Sequence, residues 1–169
     1  MPDEIVNKVA KSGIITLDLA DLAPQGGLLF FDLKDLLHEG FILREKEFRA
    51  FIKDHDWSQY QGKHIAIGCS TDAIIQPWAY MLVTSNVLPY AASVLQGSKI
   101  DLERMLIKTN IAKLNPDDFA ERRVVIKGCS SISAPEFAFS ELVKQLQPVV
   151  LSLMYGEPCS TVPVYKKKK

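Results

Sequence analysis

Apolar residues in this chain recur in two rhythms, and the places where one gives way to the other predict its elements. Ile5, Val6, Val9 and Ala10 fall at helical spacing, which predicts a helix over Asp3–Lys11 with Gly13 placed to cap it. Ile14–Leu19 and Leu28–Leu33 read as strands, separated by the turn Ala23-Pro24-Gln25-Gly26-Gly27. A short helix over Asp32–Leu37 stops at Gly40. Arg44–Asp54 is amphipathic, with Phe48, Phe51 and Ile52 on one face. Asp56–Gly62 is a polar turn holding Trp57 and Tyr60, and Asp101–Leu114 is a further helix broken by Asn115-Pro116-Asp117-Asp118.

The second half of the chain repeats part of the first. Gly68-Cys69-Ser70 recurs as Gly128-Cys129-Ser130, sixty positions later. One residue is then dropped, so that Trp78-Ala79-Tyr80 corresponds to Phe137-Ala138-Phe139, and Pro89, Ser93 and Gly97 to Pro148, Ser152 and Gly156. Each copy reads as strand, Gly-Cys-Ser turn, helix, proline stop and strand, a βαβ unit whose two strands run parallel through a right-handed crossover. Pro77 and Pro135 stand near the starts of the helices, where a missing N–H costs little.

These elements predict an α/β fold, a mostly parallel sheet flanked by helices. A chain of 169 residues, 47% of them hydrophobic, has the size of one domain with a substantial core. We read a single domain over 1–169. It has a helix/strand portion at 1–62, βαβ repeats at 63–97 and 123–156, and a cysteine loop and lysine tail at 157–169.

Charge narrows the function classes. Basic and acidic residues balance at 20 each, and Lys166–Lys169 supply part of the basic count. The remainder is slightly acidic, which argues against a nucleic-acid groove; the lysine tail reads as a solubilising end. Met-Pro-Asp-Glu-Ile-Val lacks a secretory n-region, and no apolar run approaches the ~20 residues of a membrane helix. The expectation is a cytoplasmic protein that binds neither nucleic acid nor membrane, its thiols kept reduced.

All three cysteines are followed by serine, and each comes after a segment that reads as a buried strand: Cys69, Cys129 and Cys159. In a parallel sheet this gathers the thiols at the carboxyl edge, where open α/β folds bind ligands. At a junction of strand and helix, Cys69 and Cys129 would gain thiolate character from helix N–H groups, and the serines could cap those helices. The competing reading is that cysteine is a small hydrophobe at buried strand ends. If the thiols converge, soft ligands favour zinc or an iron–sulfur cluster. Asp72, three residues after Cys69, is the candidate fourth ligand, and Glu157 is also near in sequence. Asp72 could equally answer a helix dipole, and Glu157 could simply be solvated.

The other polar motifs carry less. His64 lies at the opposite end of its strand, on the order of 15 Å from Cys69, His55 enters that same far end, and His38 reads as a surface residue. Gly26-Gly27 precedes a strand and is not a phosphate loop. Ser70, Ser130 and Ser160 have no partnered His-Asp pair, so a hydrolase triad is a poor fit.

Six further words stand out: Ile5-Val-Asn-Lys-Val-Ala-Lys-Ser-Gly13, Thr16-Leu-Asp-Leu19, His55-Asp-Trp-Ser-Gln-Tyr60, Trp78-Ala-Tyr80, Val125-Ile-Lys-Gly-Cys129 and Gly156-Glu-Pro-Cys-Ser-Thr-Val-Pro163. On these words the chain resembles a bacterial family, domain of unknown function 2480, found mainly in Bacteroidetes. The resemblance implies no particular activity or catalytic residue. It implies a genomic neighbourhood of iron–sulfur assembly genes, in the same direction as the thiols.

The leading expectation is therefore a three-cysteine metal site for zinc or iron, or an iron–sulfur cluster site, linked to iron–sulfur or sulfur metabolism, with iron–sulfur assembly proteins as partners. One rival is a thiol-dependent transferase with a single activated cysteine, so enzymatic activity stays open. The other is a noncatalytic interaction module with buried, inert thiols. A homodimer is the base-rate expectation for quaternary state.

Overall fold

A computed structural model of the protein describes residues 13–128 and 132–168. The helix expected over Asp3–Lys11 lies outside the described residues. The fold is α/β, and its strands divide between two sheets, one in each of two compact units. Gln25–Met105 form an inner unit, and Met1–Pro24 with Leu106–Lys169 form a unit whose sequence is split by it.

In the inner unit, β2 (Leu28–Asp32), β3 (His64–Gly68) and β4 (Ser93–Gln96) make a parallel sheet in that order. Its central strand, His-Ile-Ala-Ile-Gly, is apolar without alternation because both of its faces are covered. Helix α1 (Glu45–Asp54) buries Phe48 and Ile52, one turn apart, and α2 (Pro77–Val87) buries Ala79, Val83 and Val87 at the same spacing.

In the split unit, β1 (Ile14–Asp18), β5 (Arg123–Lys127) and β6 (Ser152–Glu157) run parallel, and β7 (Ser160–Lys166) joins β6 antiparallel. Helix α4 (Pro135–Leu146) buries Ala138, Leu142 and Leu146. The division between units falls within α3 (Lys99–Ala112), whose Ile107 and Ile111 belong to the split unit's core. Residues expected to form a cysteine loop and a lysine tail instead form β7. Alternation is weak there because Val162 and Val164 stay exposed on an edge strand, so the periodic signal is missing.

The repeat is deeper than the sequence words suggest. The turns Trp57–Tyr60 and Pro116–Phe119 are both 3-10 helices, N-capped by the side chains of Asp56 and Asn115. Gly62 and Glu121 follow, both at positive φ, +69° and +55°. The central strands begin at His64 and Arg123 and pair with Ser93 and Ser152 respectively, so the structural offset is fifty-nine residues. The Gly-Cys-Ser words, sixty apart, are therefore out of structural register by one. Gly68 is the last residue of β3, whereas Gly128 lies beyond β5 with φ +86°. The first strands repeat as well. Asp18 and Asp32 each end a strand and accept from the N–H two residues on, at 2.9 Å and 3.0 Å, opening the 3-10 helices Leu19–Leu22 and Leu33–Leu36.

His55, which closes α1, packs among Phe31, Phe51, Trp57 and Tyr60, with ring centroids 4.6–5.8 Å away. Its Nε2 lies 3.0 Å from the Tyr60 hydroxyl and 3.2 Å from the Gln59 amide nitrogen. That amide nitrogen also donates to the Asp56 carbonyl, so Nε2 is an acceptor and the ring is neutral with its proton on Nδ1. Burial lowers the imidazole pKa, against a smaller opposing pull from Asp56. The unfolded chain therefore takes up the proton first as pH falls. The stability contributed by neutral His55 is present above about pH 6.5 and is lost below it. Urea unfolding of wild type and His55→Phe should show stability falling more steeply in wild type below about pH 6.5. Parallel pH profiles for the two proteins would remove this account.

Candidate functional site

Parallel strands bring their carboxyl ends to one edge, and in each unit that edge collects the polar chemistry. In the inner unit, Asp32 ends β2 and Cys69 follows β3 directly. The Asp32 carboxylate accepts from the backbone N–H of Ser70 at 3.0 Å as well as from Lys34. Burial pushes this carboxyl up, but the Ser70 hydroxyl, the two N–H groups and the Lys34 charge together hold it below its usual range. Cys69 is half-buried against the core, its Sγ 3.3 Å from the Thr71 hydroxyl. Tyr80 is close enough for Cys69 to add to the burial that raises its phenol pKa. Gly68 is required by space, since a Cβ there would meet the Phe30 ring at 2.8 Å.

The expected junction of thiol and helix is not formed. Helix α2 starts at Pro77, with Gln76 as an N-cap that makes no side-chain bond, and α4 starts at Pro135 after Ala134 in the same way. Both prolines are at the first helical position, as anticipated, but seven residues separate Cys69 from Pro77. Ser70 caps no helix, since the N-cap of α2 is Gln76. Asp72 likewise lies outside any first turn. It is exposed in the connecting segment and borders a shallow hollow with Phe41, Ile42 and Ile74.

In the split unit, Asp18 ends β1, Lys127 ends β5 and Glu157 ends β6. The Lys127 Nζ lies 3.5 Å from an Asp18 oxygen and 3.7 Å from a Glu157 oxygen. Lys127 and Asp18 are each 32% exposed, so the contact is partly shielded from solvent screening. Glu157 is solvated, as one reading of the sequence had it, with its side chain 61% exposed while it reaches Lys127. Cys159 sits exposed at the tip of the two-residue β6–β7 connection Pro158-Cys159. Gly156, at φ +115°, permits this hairpin, because a Cβ there would lie 2.6 Å from the Ser160 carbonyl oxygen. Cys129 and Ser130 lie outside the described residues.

Cys69 belongs to the inner unit and Cys159 to the split unit. Among the described residues, no group of three or more His, Cys, Asp or Glu side chains is arranged to hold a metal. The histidines are engaged elsewhere. His64 donates from Nε2 to the Gln25 carbonyl at 2.8 Å and accepts at Nδ1 from the Ser93 hydroxyl at 2.7 Å. His38 pairs with Glu39 at 3.6 Å. Sequence reasoning missed Asp18, Asp32 and Lys127 at these edges. The recurring Asp-Leu-x-Asp-Leu at Asp18–Leu22 and Asp32–Leu36 was the signal that could have found the two aspartates.

The chain belongs to the family described as protein of unknown function (DUF2480). That family's model matches residues 3–167. No curated protein and no solved structure matches the chain. Among the described residues, no helix is long and apolar enough to cross a membrane.

Gly128 is a second constrained position at the split unit's edge. A Cβ there would stand 2.5 Å from the Asp18 carboxylate, at a φ that L side chains rarely adopt. Gly128→Ala should destabilise the protein by about 2 kcal/mol in urea unfolding. A change within ~0.5 kcal/mol would show that the edge relaxes freely.

Proposed function

We propose that this member of the family binds a thiophilic metal, zinc or iron, or an iron–sulfur cluster, and serves iron–sulfur or sulfur metabolism in a reducing, cytoplasmic setting. The observation that supports this reading best lies in the split unit. Strands β5 and β6 are hydrogen-bonded neighbours with Ile126 opposite Tyr155, and their ends are bridged by Lys127 and Glu157. Cys129 follows Lys127 by two residues in sequence, and Cys159 follows Glu157 by two. Two thiol-bearing segments thus leave adjacent strands at one edge.

A pair of thiolates is half of a tetrahedral zinc or iron–sulfur ligand set. Iron–sulfur assembly proteins are the candidate partners. The rival with one activated thiol makes a different demand, a single fast-reacting cysteine in metal-free protein.

The test is metal and sulfide analysis of anaerobically purified full-length protein, with Cys69→Ser, Cys129→Ser, Cys159→Ser and Asp72→Asn. Cys129→Ser and Cys159→Ser should each lower bound metal by about tenfold or more. The reading fails if metal content is unmoved by both. One rapidly alkylated thiol in protein that binds no metal would instead establish the transferase reading.

A further inference from the structure

The split unit also carries an apolar hollow that none of the thiol chemistry uses. It measures about 280 Å³, just under the size at which ligand cavities usually begin. Ile126, Leu153, Tyr155 and Val164 of the sheet line it together with Phe139 and Val143 of α4. Two features of the fold create it. Strand β7 extends the sheet one strand past β6, and the β6–β7 ladder shifts register between Leu153 and Met154, leaving Val164 as an extra residue. A bulge of this kind turns two successive side chains to one face. Tyr165 accordingly packs on the core beneath α4 while Val164 borders the hollow. Tyr155 and Val164 are left 44% and 55% exposed, an apolar lining open to water.

At Val143 this hollow adjoins a second one, of about 410 Å³ and different character. Lys144, Gln147, Pro148 and Tyr165 line it together with Val143. Glu141 pairs with Lys144 and also lies 4.0 Å from Lys108, so the acidic residue sits between two lysines and the cluster keeps an excess of positive charge. Lys167, itself paired with Glu121, is within electrostatic reach of Tyr165. One end of the groove thus offers hydrocarbon, and the other offers an ammonium, an amide and a phenol.

We propose that this paired groove binds a free medium-chain monocarboxylate, its alkyl tail against Phe139, Tyr155 and Val164 and its carboxylate toward Lys144, Gln147 and Tyr165. The apolar chamber would reject a charge, which has no partner there. The polar chamber gives the head group a charge-assisted donor. The site includes no cysteine, so it stands or falls independently of the metal reading.

Calorimetric titration of the full-length protein with decanoate, 1-decanol and butyrate tests this. Decanoate should bind and butyrate should not. Ser140→Trp, which fills the hollow from an exposed position on α4, should weaken decanoate about tenfold or more. Lys144→Glu, on the helix surface, should weaken decanoate about fivefold or more and change 1-decanol less than about twofold. Circular dichroism confirms that each variant folds, and Val164→Lys replaces Ser140→Trp should that variant unfold. Absence of decanoate binding, equal loss of decanoate and decanol in Lys144→Glu, or unchanged binding in the filled variant would each overturn the proposal. So would a wild-type dimer that Ser140→Trp converts to monomer with decanoate affinity intact, since the groove would then be an interface between copies.

Discussion

Each unit depends on a two-bond clasp between the entry of its central strand and the exit of its crossover helix. In the inner unit the Gly62 N–H donates to the Tyr90 carbonyl at 2.9 Å and the Ala92 N–H to the Lys63 carbonyl at 2.8 Å. In the split unit Glu121 donates to Val149 and Leu151 to Arg122, both at 2.8 Å. Such bonds contribute only about 1 kcal/mol each net, less than burying a single core leucine. Their importance is register. A slip of one residue would turn every side chain of a strand to the other face, and the strand ends would no longer stand level. The clasp also explains the positive φ at Gly62 and Glu121: the chain must turn there for its N–H to face the returning segment. Glycine meets that demand without strain. Glutamate meets it at a cost of about 1–2 kcal/mol, held in place by the surrounding hydrogen bonds.

Local signals in the chain disclosed most of the fold. The amphipathic stripe of Phe48 and Ile52, the prolines at both helix starts, and the apolar runs before Gly68 and Gly128 all led to the correct element types, because each reflects the immediate neighbourhood of its residues. The assignment of strands to sheets was not local. β1 pairs with β5 across more than a hundred residues, and β2 with β3, yet both first strands read alike. Only tertiary contact separates them. The helix starts were placed too early for a related reason. Gly-Cys-Ser looks like a turn leading straight into a helix, but Thr71–Gln76 stays extended or bent, and a residue before proline disfavours the helical region.

The candidate site was half legible. The rule that open sheets bind at their carboxyl edge directed attention there, and Cys69 and Cys159 do stand beyond the carboxyl ends of β3 and β6. The charges were not legible, because a lysine or an aspartate ending a strand reads as an ordinary solvated residue until its neighbours are known. Lys127 acquires meaning only beside Asp18 and Glu157, which lie far away along the chain.

The structural repeat also shows where the two units differ at their edges. At the fifty-nine-residue offset, Lys127 occupies the place of Gly68, and Gly156 that of Gly97. Beyond Gly97 the inner unit goes into α3 through a box in which the Ser98 hydroxyl donates to Asp101 at 2.6 Å and Asp101 N–H donates back at 3.2 Å. That arrangement satisfies a helix terminus. Beyond Gly156 the split unit instead turns a tight hairpin that holds a thiol in solvent. Asp32 and Asp18 diverge in the same sense. Both accept from the N–H two residues on, but Asp32 takes a second backbone N–H at Ser70 where Asp18 meets the Lys127 ammonium. At these places the inner copy has Gly68 and a helix start, and the split copy has a paired lysine and a tight hairpin that carries an exposed sulfur. The proposed reading rests on the split unit because its strand ends carry an ion pair across β1, β5 and β6 beside a hairpin with an exposed sulfur.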